Sequence, residues 1–491
     1  MKKYIVVVMA LACCLTSWAQ AADTRPNVIM LFIDDLGMGD IGAFGCEDIP
    51  TPHIDRLAKE GVILDQMYVT NPPCCPSRYS LLMGTYAQRF GKYGMMRGQP
   101  LPDEPTFAEV FRDHGYVTGQ VGKWDVGYQQ SPSNRGFMEV AVDPPKAPNG
   151  KLFMRLDENG EEIWLTELDG DRLVEFVDRN RKKGKPFMMY WSPLAVHSPH
   201  SNTPEEYCAR TSVPEDLPIN PVHGANRRLL GGGIVALDDQ IGKLLDYLDA
   251  HKMRENTLIL FASDNGPNIA EGGSSAPYRG GKGSKNREEV GWTLTPGIVS
   301  WPGVVPQGTT YDGMLCTFDF YPTMLTAANL PLPDHLDGED LIPYLTGKKQ
   351  GNVRDYVYWF NQGSKSLTRN IQAVRYGKWR LYRSLPEHPW RLYDLDQDPR
   401  EENNLAQEFP EVVQQLEAKH SEWSDELPPM YDLANRPPRP GVIPNQDLAP
   451  QDGWIITDGK VSYTKPTPEQ AKQMKAAKKA AKQAKQKGSA Y

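Results

Sequence analysis

The sequence predicts an α/β protein whose main sheet is parallel or mixed and is covered by helices on both faces. One observation is a set of short runs rich in apolar, β-branched and aromatic residues, at 27–35, 186–192, 257–266 and 297–303. Another is that amphipathic helical patterns alternate with these runs, at 53–62, 106–115, 171–184 and 233–252. Strands buried on both faces read as unbroken apolar runs, and alternation with helices is typical of parallel sheets. Ligands bind such sheets at the carboxyl ends of the strands, where two of the runs end in acidic residues.

A smaller antiparallel α+β subdomain is predicted to follow the main domain. Short strand patterns with turns occur at 355–360, 372–383 and 390–405, and a helical pattern covers 411–423. We therefore expect a main domain at 22–350 and a C-terminal subdomain at 351–427.

The last part of the chain has a different composition. Residues 428–468 are rich in proline, which predicts an irregular segment. Residues 469–491 are rich in Lys and Ala, a composition that favours a helix without an apolar face. Such a segment is either a solvated tail or a tail that binds a surface.

The first 21 residues have the pattern of a secretory signal peptide. A cationic MKK precedes the apolar YIVVVMALACCL, and Ala19-Gln20-Ala21 fits a small-x-small cleavage site. The apolar stretch is short for a membrane span. We expect an exported protein, periplasmic or secreted, with no membrane span; a lipoprotein signal around Cys13 or Cys14 is the alternative.

Charge and cysteine content narrow the function classes. A net charge of −8 and a pI near 5.7 argue against a nucleic-acid partner, since such proteins usually carry a basic domain. Removal of the signal would leave five cysteines, namely Cys46, Cys74, Cys75, Cys208 and Cys316. An odd number in an oxidising compartment leaves at least one cysteine with a fate other than an internal disulfide.

Two strand ends carry hard oxygen donors. Asp34 and Asp35 follow the first apolar run, and Asp264 and Asn265 follow a later one. Oxygen-only ligation suits Ca²⁺ or Mg²⁺ rather than zinc. A single pair of this kind would more often serve as a turn or a cap, but two pairs favour a metal site.

The segment NPPCCPSRYSLLMG (71–84) predicts a helix start with an anion site. Pro76 fits the first helical position, with Cys75 as the N-cap and Cys74 just outside. The helix N-terminus and Arg78 would favour an anion at position 74 and lower the pKa of a thiol there. A vicinal disulfide, or pairing with a distant cysteine, is the structural alternative.

These residues resemble the signature of a known enzyme family. Cys74, Pro76, Ser77 and Arg78, followed by Leu82 and Gly84, resemble the C-x-P-S-R-x-x-x-L-x-G motif of the sulfatases. The segments NVIMLFIDDLGMGDIGAFG, TPHIDRLAKEG, GKWDVG, FASDNG, YRGGKG and LYDLDQDPREENNL resemble further landmarks of that family, in the family's order. The resemblance runs from about Asn27 to Leu405.

The resemblance implies an alkaline-phosphatase-like fold and a calcium-dependent sulfate-ester hydrolase. Cys74 would be converted to Cα-formylglycine by a formylglycine-generating maturation enzyme, and its hydrated aldehyde would be the nucleophile. Cys75 would occupy a variable position. Residue 74 would bind Ca²⁺ together with Asp34, Asp35, Asp264 and Asn265.

The remaining roles also follow from the resemblance. Arg78 would stabilise the hydrated aldehyde, and Lys123 and Lys282 would neutralise sulfate oxygens. His197 would bind sulfate or protonate the leaving group. His200 would either contact the residues that bind the substrate or contact the substrate itself. The expected substrate is a sulfated small molecule or, more specifically, a sulfated saccharide approached at a chain end.

Two departures from the family pattern leave other functions open. Asp125 stands where the family usually has a histidine that accepts a proton, and the loop after Lys282 reads GSKNREEVGWTLTP rather than T-x-x-E-G-G. One alternative is a phosphoester or phosphonate hydrolase on the same fold. The other, encouraged by Asp125, is an inactive calcium-bound saccharide-binding homologue.

Overall fold

The computed structural model of the chain describes most of the predicted main domain and subdomain. The described residues are 24–95, 99–126, 130–143, 146, 153–157, 159–222, 224–284, 289–362, 370–430 and 454–456. The predicted signal peptide at 1–21 and the tail at 469–491 lie outside them.

A nine-stranded sheet forms the centre of the molecule, in the order β12-β2-β11-β9-β1-β8-β4-β5-β18. Its strands, numbered along the chain, are β1 Asn27–Ile33, β2 Val62–Leu64, β4 Val117–Gly122, β5 Glu139–Ala141, β8 Phe187–Ser192, β9 Thr257–Ser263, β11 Gly297–Ser300, β12 Thr309–Tyr311 and β18 Trp454–Ile456. The run from β9 to β5 is parallel, whereas β11 and β18 pair antiparallel with their neighbours. The predicted mixed, mainly parallel sheet is confirmed.

Helices cover both faces of this sheet. They are α1 Pro52–Lys59, α2 Cys74–Met83, α3 Phe107–Asp113, α4 Leu165–Lys182, α5 Glu205–Cys208, α6 Arg227–Ala250, α7 Phe320–Ala327 and α8 Ile342–Leu345. Strand β1 shows the two-sided burial, because its successive side chains point to opposite faces. Val28, Met30 and Phe32 join the cluster that includes α2, α3 and α7. Ile29, Leu31 and Ile33 join the cluster on the side of α1, α4 and α6.

Two small sheets flank this core. One consists of β3 Met67–Tyr68, β10 Leu294–Thr295 and β13 Leu315–Cys316, and the other of β6 Met154–Leu156 and β7 Glu162–Trp164.

The C-terminal subdomain is a four-stranded antiparallel sheet with one long helix against it. Its elements are β14 Tyr356–Gln362, β15 Asn370–Tyr376, β16 Trp379–Arg383, β17 Arg391–Asp394 and α9 Pro410–Asp425. Buried Val374, Leu381 and Leu392 pack with Leu416 of α9. This is the predicted antiparallel α+β arrangement.

One segment expected to be irregular contributes a strand instead. Trp454–Ile456, inside the proline-rich 428–468, pairs antiparallel with β5 at the edge of the large sheet. The Trp454 ring is buried, stacks on Phe176 and lies under the guanidinium of Arg179. Pairing with an open sheet edge depends on free backbone groups and not on a period in the sequence, so composition did not predict this strand.

No helix among the described residues is both long enough and apolar enough to cross a bilayer.

Candidate active site

The carboxyl ends of the central strands bring the predicted site residues together. Strands β1 and β9 run in parallel register, with Ile33 opposite Ser263, so the acidic residues after each strand become neighbours. Strand β4 ends beside β8, and the Lys123 backbone N–H donates to the Ser192 carbonyl at 2.6 Å. The N-terminus of α2 points into the same edge.

Helix α2 begins earlier than the sequence predicted. Its first residue is Cys74 and its N-cap is Pro73, so Pro76 is the third helical residue and not the first. The first four N–H groups of a helix have no partner inside it, so a proline at the third position forfeits no hydrogen bond. The N–H of Cys74 donates to Asn265 Oδ1 at 2.8 Å, which ties the helix start to the end of β9.

A buried acidic cluster surrounds the Cys74 side chain. Ligand atoms of Asp34, Asp35, Cys74 and Asp264 all lie within 4.8 Å of one another. Asn265 directs its amide oxygen at the same place, 3.5 Å from Cys74 Sγ, while its Nδ2 donates to Asp35 Oδ1 at 2.7 Å. Three carboxylates and an amide oxygen, nearly excluded from water, are a donor set that suits a hard cation such as Ca²⁺. The residues present therefore fit the ion that the resemblance implies.

The pKa values of two carboxyl groups in this cluster are shifted in opposite directions. Burial, and after it the charge of Asp34, raises the pKa of Asp264 to about 6. Burial also opposes ionisation of Asp34, but nearby positive groups, Lys123 foremost, outweigh it and hold the pKa of that carboxyl far below its ordinary value. Like charges this close disfavour each other's ionisation, which a bound cation would relieve.

Positively charged side chains reach the cluster from several directions. Lys123 donates to Asp34 Oδ2 at 2.6 Å. Lys282 donates to both oxygens of Asp35 at 2.8 Å, and its Nζ lies 3.4 Å from Cys74 Sγ. Burial lowers the pKa of each lysine, but the neighbouring carboxylates outweigh it and raise both pKa values above the ordinary one. Both ammonium groups are therefore charged next to residue 74.

Arg78 is held rigidly at the base of the site. It donates to Asp264 Oδ2 from Nε at 3.0 Å and from Nη2 at 2.6 Å, and its Nη1 donates to Tyr190 Oη at 3.2 Å and to Ser192 Oγ. Tyr190 and Ser192 are not among the site residues predicted from the sequence. They are two positions apart in β8, so both lie on the same face of that strand. This spacing could have identified them from the sequence.

The unmodified thiol of Cys74 is a poor nucleophile here. Burial, followed by the charges of Asp264, Asp34 and Asp35, raises the pKa of this thiol well above its ordinary value. The expectation that the helix N-terminus would lower this pKa is wrong, because the sulfur is buried and three carboxylates converge on it. The thiolate is the reactive form of cysteine, so the environment disfavours direct attack by Cys74.

No disulfide forms among the described cysteines, which are Cys46, Cys74, Cys75, Cys208 and Cys316. The alternative of a bridge at position 74 is thus absent from the structure.

The two histidines occupy different places. His197 Nε2 lies 3.8 Å from Asp35 Oδ2, and its side chain is 32% exposed, so it borders the opening of the site. His200 is buried, and its Nε2 lies 3.3 Å from Glu271 Oε2. No sequence signal identified Glu271 as the partner of His200.

Asp125 lies beside Lys123, with Oδ2 3.7 Å from Lys123 Nζ. Its backbone has a φ of 49°. Asp, Asn and His are the residues other than glycine most often found in this left-handed region, so the usual histidine and this aspartate suit the same backbone. Part of the divergent loop after Lys282, residues 285–288, lies outside the described residues.

The sequence and the fold of the chain are similar to those of known proteins. The family model described as Sulfatase matches residues 26–330, and a model described as N-sulphoglucosamine sulphohydrolase, C-terminal, matches residues 291–426. Human arylsulfatase A is 29% identical over 458 residues, covering 80% of this chain and 86% of the relative. N-acetylgalactosamine-6-sulfatase of Canis lupus familiaris is 29% identical over 406 residues, covering 74% of this chain and 73% of the relative. The crystal structure of Ps i-CgsB in complex with k-i-k-neocarrahexaose has a TM-score of 0.72 at 26% identity, covering 84% of this chain and 96% of that chain.

Proposed function

The chain belongs to the sulfatase family and is a sulfuric ester hydrolase, and from this premise we propose that it releases sulfate from sulfated saccharides, using Cα-formylglycine at position 74 and a calcium ion. The observation that carries the proposal is the position of Cys74. Its buried side chain lies among three carboxylates, Lys282 and the N-terminus of α2.

Conversion of Cys74 to formylglycine is supported by the chemistry around the sulfur. A thiol whose pKa is raised is a weak nucleophile, whereas a hydrated aldehyde supplies one hydroxyl for attack on sulfur and a second whose deprotonation expels sulfate. The chain would therefore depend on a formylglycine-generating maturation enzyme, and the N-terminal signal pattern supports export to the periplasm or beyond.

Calcium would be held by Asp34, Asp35, Asp264, Asn265 and residue 74. The ion would supply Lewis-acid polarisation of a sulfate oxygen. Lys123 and Lys282 would neutralise the other sulfate oxygens, and Arg78 would fix the hydrated aldehyde. Charges prearranged in a water-poor site usually provide the largest share of catalysis.

The leaving group would depart through the side of the site where His197 lies. Arg78, Asp34 and Asp264 are fully buried, while the side chains of Lys282 and His197 are 22% and 32% exposed. His197 is thus the group placed to donate a proton to the departing alcohol, and Asp125 is the candidate for accepting one from residue 74.

A saccharide substrate is supported by the relatives and by a pocket next to the Lys282 loop. Their names and titles include an N-acetylgalactosamine-6-sulfatase and a complex with a neocarrahexaose. Gly280 and Ser284, on either side of Lys282, line a pocket of about 380 Å³ together with Tyr278 and Arg279. Small-molecule sites commonly have volumes of about 300–1,000 Å³.

The test is sulfate release from a panel of sulfated oligosaccharides, with matched aryl sulfate and aryl phosphate as reference substrates and Cys74→Ala as the inactive control. We expect aryl sulfate to be turned over much faster than aryl phosphate, and sulfate to be released from at least one sulfated saccharide. Faster aryl phosphate turnover would favour the phosphoester hydrolase. Oligosaccharide binding without sulfate release from any substrate would favour the inactive binding protein.

A further inference from the structure

The pocket beside the Lys282 loop combines residues of the main domain and of the C-terminal subdomain. Its volume of about 380 Å³ is sufficient for a small ligand. Gly280 and Ser284, which line it, lie two residues before and after Lys282, and the Nζ of that lysine is 3.4 Å from Cys74 Sγ. Arg400, from the turn segment after β17, also lines the pocket. The pocket therefore adjoins the candidate active site.

The main chain at Arg400 is held at the pocket by the next residue, Glu401, which is buried. The Glu401 carboxylate accepts a hydrogen bond of 2.7 Å from the Val290 backbone N–H and pairs with Arg380. Its backbone carbonyl accepts a hydrogen bond of 3.1 Å from Arg279 Nη2, and Arg279 is itself a lining residue. These contacts join the subdomain turn to the pocket lining, so the fold gives Arg400 a defined place there.

The charged side chains that line the pocket, among the described residues, are Arg279, Arg400 and Glu289. Arg279 Nε lies 3.1 Å from Glu289 Oε1, so these two charges compensate each other. Arg400 Nε donates to Glu402 Oε1 at 3.1 Å, but both of these side chains are more than half exposed. An exposed ion pair contributes little free energy, so an anionic ligand group can compete with Glu402 for the Arg400 guanidinium.

The charge of the whole chain makes such a local cation important for an anionic substrate. The net charge is −8, which repels a polyanion, so its binding depends on positive groups within the pocket. The planar donor fork of a guanidinium matches the oxygens of a carboxylate or of a group such as sulfate. Arg279 is bonded to Glu289 and Glu401. Arg400 is therefore the lining residue best suited to bind an anionic substituent.

We propose that this pocket binds the sugar unit next to the one that loses its sulfate, and that Arg400 selects substrates in which this adjacent unit carries a second anionic group. That group is a sulfate or a carboxylate, since both offer the oxygens that a guanidinium binds. The inference rests on the proposed function. Arg400 is then a specificity-determining residue, and Glu401 positions it.

The test compares disaccharides that share a sulfated terminal unit and differ in the adjacent unit, which is neutral, sulfated or a uronate. Sets built on galactose, N-acetylgalactosamine and glucosamine are used, and an aryl sulfate, which has no adjacent sugar unit, is the reference. Relative to the reference, we expect Arg400→Gln to lower kcat/KM for an anionic member about tenfold, equivalent to ~1.4 kcal/mol and mainly through KM. For the neutral member the change should be less than about twofold. The larger loss, with the sulfated or with the uronate member, identifies the group that Arg400 binds.

Arg400→Lys and Arg112→Gln are the matched controls. Arg400→Lys keeps the positive charge and should retain a preference for the anionic members over the neutral one. Arg112 donates from Nε to Asp113 Oδ1 at 2.8 Å, a local ion pair like that of Arg400. It belongs to α3, close to the amino end of β4, whereas the candidate site lies at the carboxyl end of that strand. Arg112→Gln should therefore leave every relative kcat/KM unchanged.

Binding to the inactive Cys74→Ala variant gives a second readout that does not depend on turnover. Calorimetry with the same disaccharides should show that Arg400→Gln weakens binding of an anionic member about tenfold. Equal losses for neutral and anionic members, or no loss for the anionic ones, would overturn the inference. Aryl sulfate hydrolysis without binding of any disaccharide would overturn it too, while leaving the sulfatase activity intact. Arg400-dependent binding without sulfate release from any substrate would instead overturn the proposed function and leave the anion-binding pocket supported.

Discussion

The guanidinium of Arg78 donates two hydrogen bonds to Oδ2 of Asp264, from Nε at 3.0 Å and from Nη2 at 2.6 Å, and both side chains are fully buried. This pair joins the helix that carries Cys74 to the strand end that carries the candidate calcium ligands. The geometry of the nucleophile and that of the metal site therefore depend on one another.

Arg78→Lys should separate charge from geometry at this pair. Lysine keeps the positive charge but cannot reproduce the planar donor fork. We expect activity on aryl sulfate to fall by about 10²-fold or more, and stability to fall by up to about 3–5 kcal/mol, the usual cost of breaking a buried pair. Denaturant unfolding and kcat/KM check both effects. Arg56→Lys, in a partly exposed ion pair, is the control and should change stability by less than about 1 kcal/mol.

Calcium removal should lower both activity and thermal stability. A ligand that binds only the folded state stabilises it, by about 2.7 kcal/mol at roughly 100 times its Kd. Asp264→Asn should abolish the rise in unfolding temperature on calcium addition. Asp239→Asn should retain it, since Asp239 belongs to a separate acidic group with His53 and Asp238. A metal-free sample with full activity and an unchanged unfolding temperature would contradict the calcium assignment.

Asp125→Asn should slow turnover while sparing the first transfer of sulfate. General-base assistance typically contributes about 10²–10⁴ in rate. Asparagine suits the same left-handed backbone and cannot accept the proton, so the variant should give a burst of phenol followed by slow turnover. Intact-mass measurement should then find sulfate retained on the protein. The assignment fails if turnover is undiminished, or if the burst is lost together with it.

Much of this arrangement could be predicted from the sequence, because it depends on local patterns. The apolar runs before Asp34 and Asp264 predict buried strands, and parallel strands bring the residues after them to one edge. The environment of Cys74 could not be predicted in the same way. The positive helix end is visible in the sequence, but the burial and the three carboxylates that raise the pKa of the thiol arise only in the folded chain.

Other features were missed for a similar reason. Glu271 lies in a segment without a functional pattern, and it is brought to His200 only by the tertiary fold. Strand β18 depends on an open sheet edge, and its short sequence carries no alternation that would identify it.

Asp169 should make the fold less stable as the pH rises. Burial, followed by the charge of Asp143, raises the pKa of this carboxyl to about 8, and neither of its oxygens has a hydrogen-bond partner among the described residues. Below the pKa of Asp169 in the unfolded chain, near 3.9, the carboxyl is protonated in both the folded and the unfolded state. Its contribution to the free energy of unfolding is then fully present. As the pH rises towards 8 only the unfolded chain releases it, so this contribution to the free energy of unfolding is progressively lost.

Asp169→Asn should remove that dependence. Between about pH 5 and pH 8 the free energy of unfolding of the variant should rise by about 1–4 kcal/mol relative to that of the unsubstituted protein, since each pH unit contributes up to ~1.4 kcal/mol. Asp171→Asn on the same helix is the control, because that exposed carboxylate pairs with Lys243 at the surface. Urea unfolding at several pH values measures the difference, and parallel profiles for Asp169→Asn and the unsubstituted protein would show that Asp169 is ionised in the fold.

The most direct test of the mechanism is to compare the modification of residue 74 with turnover in the same preparations. Protein is made with and without a formylglycine-generating enzyme, peptide mass spectrometry gives the fraction of residue 74 converted to the aldehyde or its hydrate, and aryl sulfate hydrolysis gives kcat. We expect kcat to rise in proportion to the converted fraction and to vanish in protein that retains Cys74 as a thiol. Full activity in protein whose Cys74 is unmodified would contradict the account.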